Sequence, residues 1–101
     1  MEWIYRESAS ELVDPQGRRL ALTRQECVLF REVADAGAGA VVQRRQLVEA
    51  LGGHWASYDL RRLDTMVSRL RSRWRQQTGD ELPLRTLHRE GYSFGAVISS
   101  L

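Results

Sequence analysis

Six of the 15 cationic residues crowd into one short segment, Leu60 to Arg75, which reads LRRLDTMVSRLRSRWR. Every cation in the chain is arginine and none is lysine. A guanidinium is a planar fork that bonds phosphates, carboxylates or a guanine edge through paired N–H groups, so this composition suits planar or polyanionic partners. An arginine-favouring genome would also produce it. Groups suited to catalysis are scarce. The one cysteine, Cys27, is followed by the apolar run Val28-Leu29-Phe30, which suits a buried, reduced thiol. His54 and His88 have no companions at metal-ligand spacing, and no phosphate-binding loop or hydrolase elbow is present. No enzyme activity, metal or other cofactor is expected.

The arginine-rich segment needs a scaffold, and its own pattern supplies part of one. At roughly 100° per residue, Leu60, Leu63, Val67, Leu70 and Trp74 share one narrow stripe, as in a helix pressed on a core. Arg61, Arg62, Thr65, Ser68, Arg69 and Ser72 fall on the opposite face. The spacing predicts a helix over residues 60–75 with Arg69 central on its exposed side. Charge follows the same division. Residues 1–60 hold 7 Arg against 9 acids, whereas residues 61–101 hold 8 Arg against 4, so the basic surface belongs to the C-terminal part.

The remaining elements follow from local signals. Trp3-Ile4-Tyr5, Leu12-Val13 and Leu20-Ala21-Leu22 read as short strands, and Asp14-Pro15-Gln16-Gly17 suits a type I turn between the second and third. Thr23-Arg24-Gln25-Glu26 has the capping-box pattern, so a helix starts at residue 24 and runs to about Asp35, before Gly37-Ala38-Gly39. Val41-Val42 suits a brief strand, and Arg44 to Leu51 a second helix, with Gln43 a mediocre cap and Gly52-Gly53 a stop. After the arginine-rich helix and a loop at Thr78-Gly79-Asp80, Leu84 to Leu87, the turn His88 to Gly91 and Tyr92-Ser93-Phe94 form a hairpin. Tyr92 and Phe94 are expected in the core.

The expected class is α+β: an N-terminal antiparallel sheet, a three-helix core and a C-terminal β-hairpin. The 101 residues suffice for a single domain, with the sheet in 1–22, the helices in 23–75 and the hairpin in 84–95. No apolar run approaches the ~20 residues of a membrane span, and the start lacks a signal-peptide pattern, so a cytoplasmic protein with no membrane partner is expected.

In this order and spacing the chain resembles the OmpR/PhoB-type winged-helix effector domain of bacterial response regulators. The resemblance rests on Leu20-Ala21-Leu22-Thr23 with Glu26, on Val41-Val42 with Arg45 and Leu47, on Leu63-Asp64 through Ser68-Arg69-Leu70-Arg71, and on Gly91-Tyr92-Ser93-Phe94. It implies a winged helix-turn-helix whose C-terminal hairpin is the wing, and sequence-specific binding of double-stranded DNA in transcription control, with the third helix in the major groove and the wing near the minor groove. Thr65, Arg69 and Asp64 are then the candidates for base contacts, with Asp64 alternatively orienting Arg61. Arg61, Arg62, Arg71 and Arg73 are the candidates for phosphates. His88 and Arg89 occupy the wing turn, as minor-groove cations or as an ordinary charged tip; the family usually places Arg-Gly there. Trp55 and Tyr58 either pack over helix ends or anchor a contact with RNA polymerase or another regulator. A winged-helix adaptor that binds such a protein without reading DNA is the alternative function. The family commonly carries an N-terminal receiver domain that these residues do not include. A free monomer that pairs only on adjacent DNA sites is therefore expected.

Overall fold

The computed structural model describes residues 2–101. Its elements run β1 (Trp3–Arg6), β2 (Glu11–Val13), β3 (Arg19–Ala21), α1 (Arg24–Ala36), β4 (Val42–Gln43) and α2 (Arg44–Ala50). There follow a 3-10 turn (Trp55–Ser57), α3 (Arg61–Thr78), β5 (Leu84–Leu87), β6 (Gly91–Phe94) and β7 (Ile98–Ser100). The fold is α+β, as the patterning predicts.

The β2–β3 turn is built by Asp14. Its carboxylate accepts from the Gln16 and Arg18 amides at 3.1 and 2.7 Å, while Gly17, at φ 84°, donates to the Asp14 carbonyl at 3.0 Å. This sets the antiparallel register Leu12↔Leu20. The sheet has a fourth strand that the sequence reading did not anticipate: β7 lies parallel to β1, with Trp3 opposite Ile98, giving the order β3-β2-β1-β7. Three residues with one buried side chain make a weak local signal, and no turn can announce a partner at the other end of the chain.

The capping box forms as expected: Glu26 N donates to Thr23 Oγ1 at 3.2 Å and Thr23 N to Glu26 Oε1 at 2.9 Å. Gln43, by contrast, makes no side-chain cap on α2. The third helix runs three residues beyond the expected Arg75. Its stop is Gly79, left-handed at φ 79°, whose N–H meets the Arg75 carbonyl at 2.8 Å, and Thr78 adds a bond to the Trp74 carbonyl at 2.8 Å.

The wing hairpin β5–β6 takes β4 as a third strand, in the order β4-β6-β5. Being central, β6 is buried at all four positions, Ser93 included, so the simple alternation of Tyr92, Ser93 and Phe94 understates its burial. Gly91 permits the β4 contact: a Cβ there would lie 2.0 Å from the Val42 carbonyl oxygen. One aromatic cluster joins both sheets to the helices. Trp3 lies 5.3 Å from Trp74 and 5.2 Å from Phe94, and Phe94 lies 6.0 Å from Phe30. Leu63, Val67, Leu70 and Trp74 are fully buried along α3, as their stripe requires, while Leu60 at its start is half-buried.

Candidate nucleic-acid interface

With one face of α3 in the core, the rest of the helix divides into two surfaces. Arg61, Arg62, Thr65, Ser68, Arg69 and Ser72 are all exposed. Among the described residues Arg69 and Thr65 make no side-chain hydrogen bond, so both keep their full capacity for a partner. Arg62 lies over the Tyr58 ring at 4.8 Å, which steadies its stem without using its donors. Arg61 is paired with Asp59 at 2.8 Å, a bridge that leaves Arg61 almost fully exposed and that a phosphate can replace.

The second surface is the stripe Asp64, Ser68, Arg71 and Arg75, at helical spacing, which faces the wing. Asp64 accepts a hydrogen bond from the Tyr92 hydroxyl. It therefore does not orient Arg61, for which Asp59 serves instead, and only one of its oxygens is left for a base. Arg71 donates to the Leu84 carbonyl at 2.8 Å and to Thr86 Oγ1 at 3.0 Å, bracing the helix against β5. Between this stripe and β5 runs an open groove of about 830 Å³, bordered by Ser68, Arg71, Arg75, Arg85 and Thr86. Arg75 is held to Glu81 at 2.8 Å; Arg85 is exposed and has no ion pair among the described residues.

Arg73 is a correction. The helix turns it away from that groove, toward α1. Its two terminal nitrogens reach both Glu26 oxygens at 2.7 and 2.9 Å and the Ala21 carbonyl at 2.7 Å. Glu26 is buried, so this cation is committed to the fold, where it satisfies a carboxylate that also caps α1. Burial pushes the Glu26 carboxyl up, but the Arg73 guanidinium and the Thr23 N–H outweigh it and hold the group below its ordinary value. Arg71 is a partial correction: two of its nitrogens serve the wing before any phosphate.

At the wing tip His88 and Arg89 are both exposed, and Arg89 sits in the left-handed region at φ 63°. This conformation costs a residue with a Cβ about 1–2 kcal/mol. The Arg89 carbonyl accepts from an Arg44 terminal nitrogen at 3.1 Å, tying the tip to the start of α2. Trp55 and Tyr58 part company. Tyr58 packs so closely on Gly53 that a Cβ there would come within 2.7 Å of its ring, whereas Trp55 is 37% exposed beside an equally exposed Val41.

Sequence reasoning missed Arg75, a member of the stripe, and Arg85 and Thr86, which border the same groove from β5. Arg85 and Thr86 are adjacent on β5 and both exposed. Only the pairing of the wing with α3 shows that they face a cationic helix.

Comparison with known proteins places this geometry. The profile described as "Transcriptional regulatory protein, C terminal" matches residues 17–94, spanning β3 to the end of the wing hairpin. The chain belongs to that family. This is the OmpR/PhoB-type effector family that the sequence resembles, and its members are regulatory domains rather than enzymes. Among solved structures, the DNA-binding domain of Bacillus subtilis CssR is 25% identical, with a TM-score of 0.66 over 91% of this chain and 98% of that one. The Klebsiella pneumoniae RstA DNA-binding domain, solved in complex with the RstA box, is 27% identical with a TM-score of 0.61 over 84% of this chain and 90% of that one. The DNA-binding domain of Escherichia coli CadC shares the fold at 20% identity, with a TM-score of 0.65 over 86% and 79%. No curated protein sequence matches the chain.

Proposed function

We propose that this domain binds double-stranded DNA sequence-specifically in bacterial transcription control, with α3 in the major groove and the wing beside the adjoining minor groove. The observation that carries the reading is the division of α3 into two surfaces, one free and one facing a cationic groove. Arg69 and Thr65 serve as base readers: a guanidinium bonds the guanine O6/N7 edge bidentately, and a threonine methyl meets thymine. Asp64 adds one free carboxylate oxygen, suited to a cytosine amine. Arg61, Arg62 and Arg85, with the unused donors of Arg71 and Arg75, take phosphates on either side, so that one DNA backbone lies in the α3–β5 groove. Arg89, with His88, approaches the minor groove, where narrow A·T stretches concentrate negative potential. The family and the likeness to an RstA domain in complex with its DNA box support this reading. Among the described residues no helix is long and apolar enough to cross a membrane.

The test is selection of bound sequences from random duplexes, followed by titration of the selected and a scrambled duplex at several salt concentrations. The expected result is tighter binding to the selected site and a log-log salt slope that counts phosphate contacts. Equal binding to both duplexes, or to neither, would overturn it. A protein contact is favoured at one place: Val41 and Trp55 border a cleft of about 650 Å³ with Arg44, Arg45 and Arg89. Exposed apolar surface ringed by arginine suits a docking site for polymerase or another regulator. If DNA binding fails, this adaptor function takes its place.

A further inference from the structure

The wing is built around a residue that does more than fill the core. Tyr92 stands on the central strand of the wing sheet, fully buried, and pairs across to Val42 and Thr86. A buried phenol needs a partner for its hydroxyl. The partner is Asp64, an exposed carboxylate in the first turn of α3, where the helix dipole also favours a negative charge. A phenol donating to a carboxylate makes a charge-assisted, directional bond. It reaches from the core to the first turn of the helix that carries Thr65 and Arg69. Two turns further along, Arg71 ties the same helix face to β5. Two struts, one to each strand of the hairpin, thus fix both the axial position and the rotation of α3 relative to the wing. The Arg71 strut bonds a carbonyl and a hydroxyl and leaves a guanidinium nitrogen over. The Asp64 strut depends on a single phenolic oxygen.

We infer that Tyr92 is a positioning residue for base discrimination: through its hydroxyl on Asp64 it holds the start of the recognition helix in register with the wing. Arg69 and the wing tip can then meet their bases and phosphates on one duplex simultaneously. Tyr92 touches no DNA itself. Loss of the hydroxyl leaves every cation in place, so total electrostatic attraction survives while the alignment that separates right from wrong sequences relaxes. This inference rests on the DNA-reading function above.

Tyr92→Phe removes one oxygen and keeps the ring. The measurement compares wild type, Tyr92→Phe, Asp64→Ala and the double variant against a selected duplex and a scrambled one, with a salt series for each. For Tyr92→Phe the expected result is about a tenfold loss in the ratio of specific to scrambled affinity, with affinity for the scrambled duplex and the salt slope unchanged. The double variant should lose no more than Asp64→Ala alone, because the two residues act through one bond. A Tyr92→Phe ratio equal to wild type would overturn the positioning role while leaving the DNA-reading function intact. Wild type that fails to discriminate overturns both. If Tyr92→Phe does not fold, Asp64→Ala breaks the same bond from the exposed side, and an unchanged ratio there refutes the inference. Asp64→Asn keeps an acceptor for the phenol and should retain most of the ratio; full discrimination in Tyr92→Phe beside a shifted base preference in Asp64→Asn would leave Asp64 a base reader only and refute positioning.

Discussion

The exposed Arg69 guanidinium makes no hydrogen bond or ion pair among the described residues, so its removal is expected to cost the fold little and to isolate its part in recognition. Arg69→Ala is expected to melt within about 0.5 kcal/mol of wild type. It should lose about 1–3 kcal/mol at the selected site but little on scrambled DNA; equal losses on both would make it a phosphate contact. Arg73 has the opposite profile. Arg73→Ala leaves the buried Glu26 carboxylate without its cation and should cost about 1–3 kcal/mol of stability, with specificity retained in the folded fraction. The sign of its pH dependence follows from the lowered Glu26 pKa. A group lowered by folding stabilises above its unfolded value, here 4.5, and loses that contribution as pH falls through the folded value. The gap in melting temperature between wild type and Arg73→Ala should therefore be widest near neutrality and close as the solution is acidified below pH 4.5. A gap that stays constant down to pH 2 would rule out the ion pair as its source.

At the scale of elements, the wing tip and its groove set the next two expectations. Arg89 holds a left-handed backbone at φ 63° where glycine would be unstrained, so strain is kept at a place suited to meeting DNA. Arg89→Gly should stabilise the domain by up to about 1 kcal/mol while weakening binding to sites with a flanking A·T tract; unchanged affinity there would deny the wing its contact. Arg85→Ala should lower the salt slope by about one unit on every duplex alike, and a sequence-dependent loss would move Arg85 among the base readers. These elements were unequally legible in the sequence. The α3 register was readable because five apolar residues keep helical spacing, and the start of α1 because Thr23 and Glu26 form a two-sided signal. Arg73 was misjudged because periodicity gives a residue's angle on its helix but not the neighbour that meets it there. Glu26 lies 47 residues away in sequence. For the same reason the alternative in which Asp64 orients Arg61 fails, since its partner, Tyr92, lies on β6.

For the molecule as a whole, the face of α3 that carries an apolar stripe is spent on its own core, and no second seam remains for a partner helix. The free chain is expected to sediment as a monomer at micromolar concentration and to pair only on DNA with adjacent sites. A stable dimer without DNA would show that pairing precedes recognition. The molecule also joins its two ends, since β7 completes the N-terminal sheet beside β1 and the Leu101 amide reaches the Tyr5 carbonyl at 2.9 Å. During synthesis β1 leaves the ribosome first and β7 last among these strands. A nascent chain that has emerged through Phe94 already contains all of α3 and both strands of the wing, but β1 still presents an open edge and Trp3 lacks Ile98 beside it. The half that carries α3 and the wing can thus assemble before the N-terminal sheet is closed, and the closing clasp forms only once β7 has emerged.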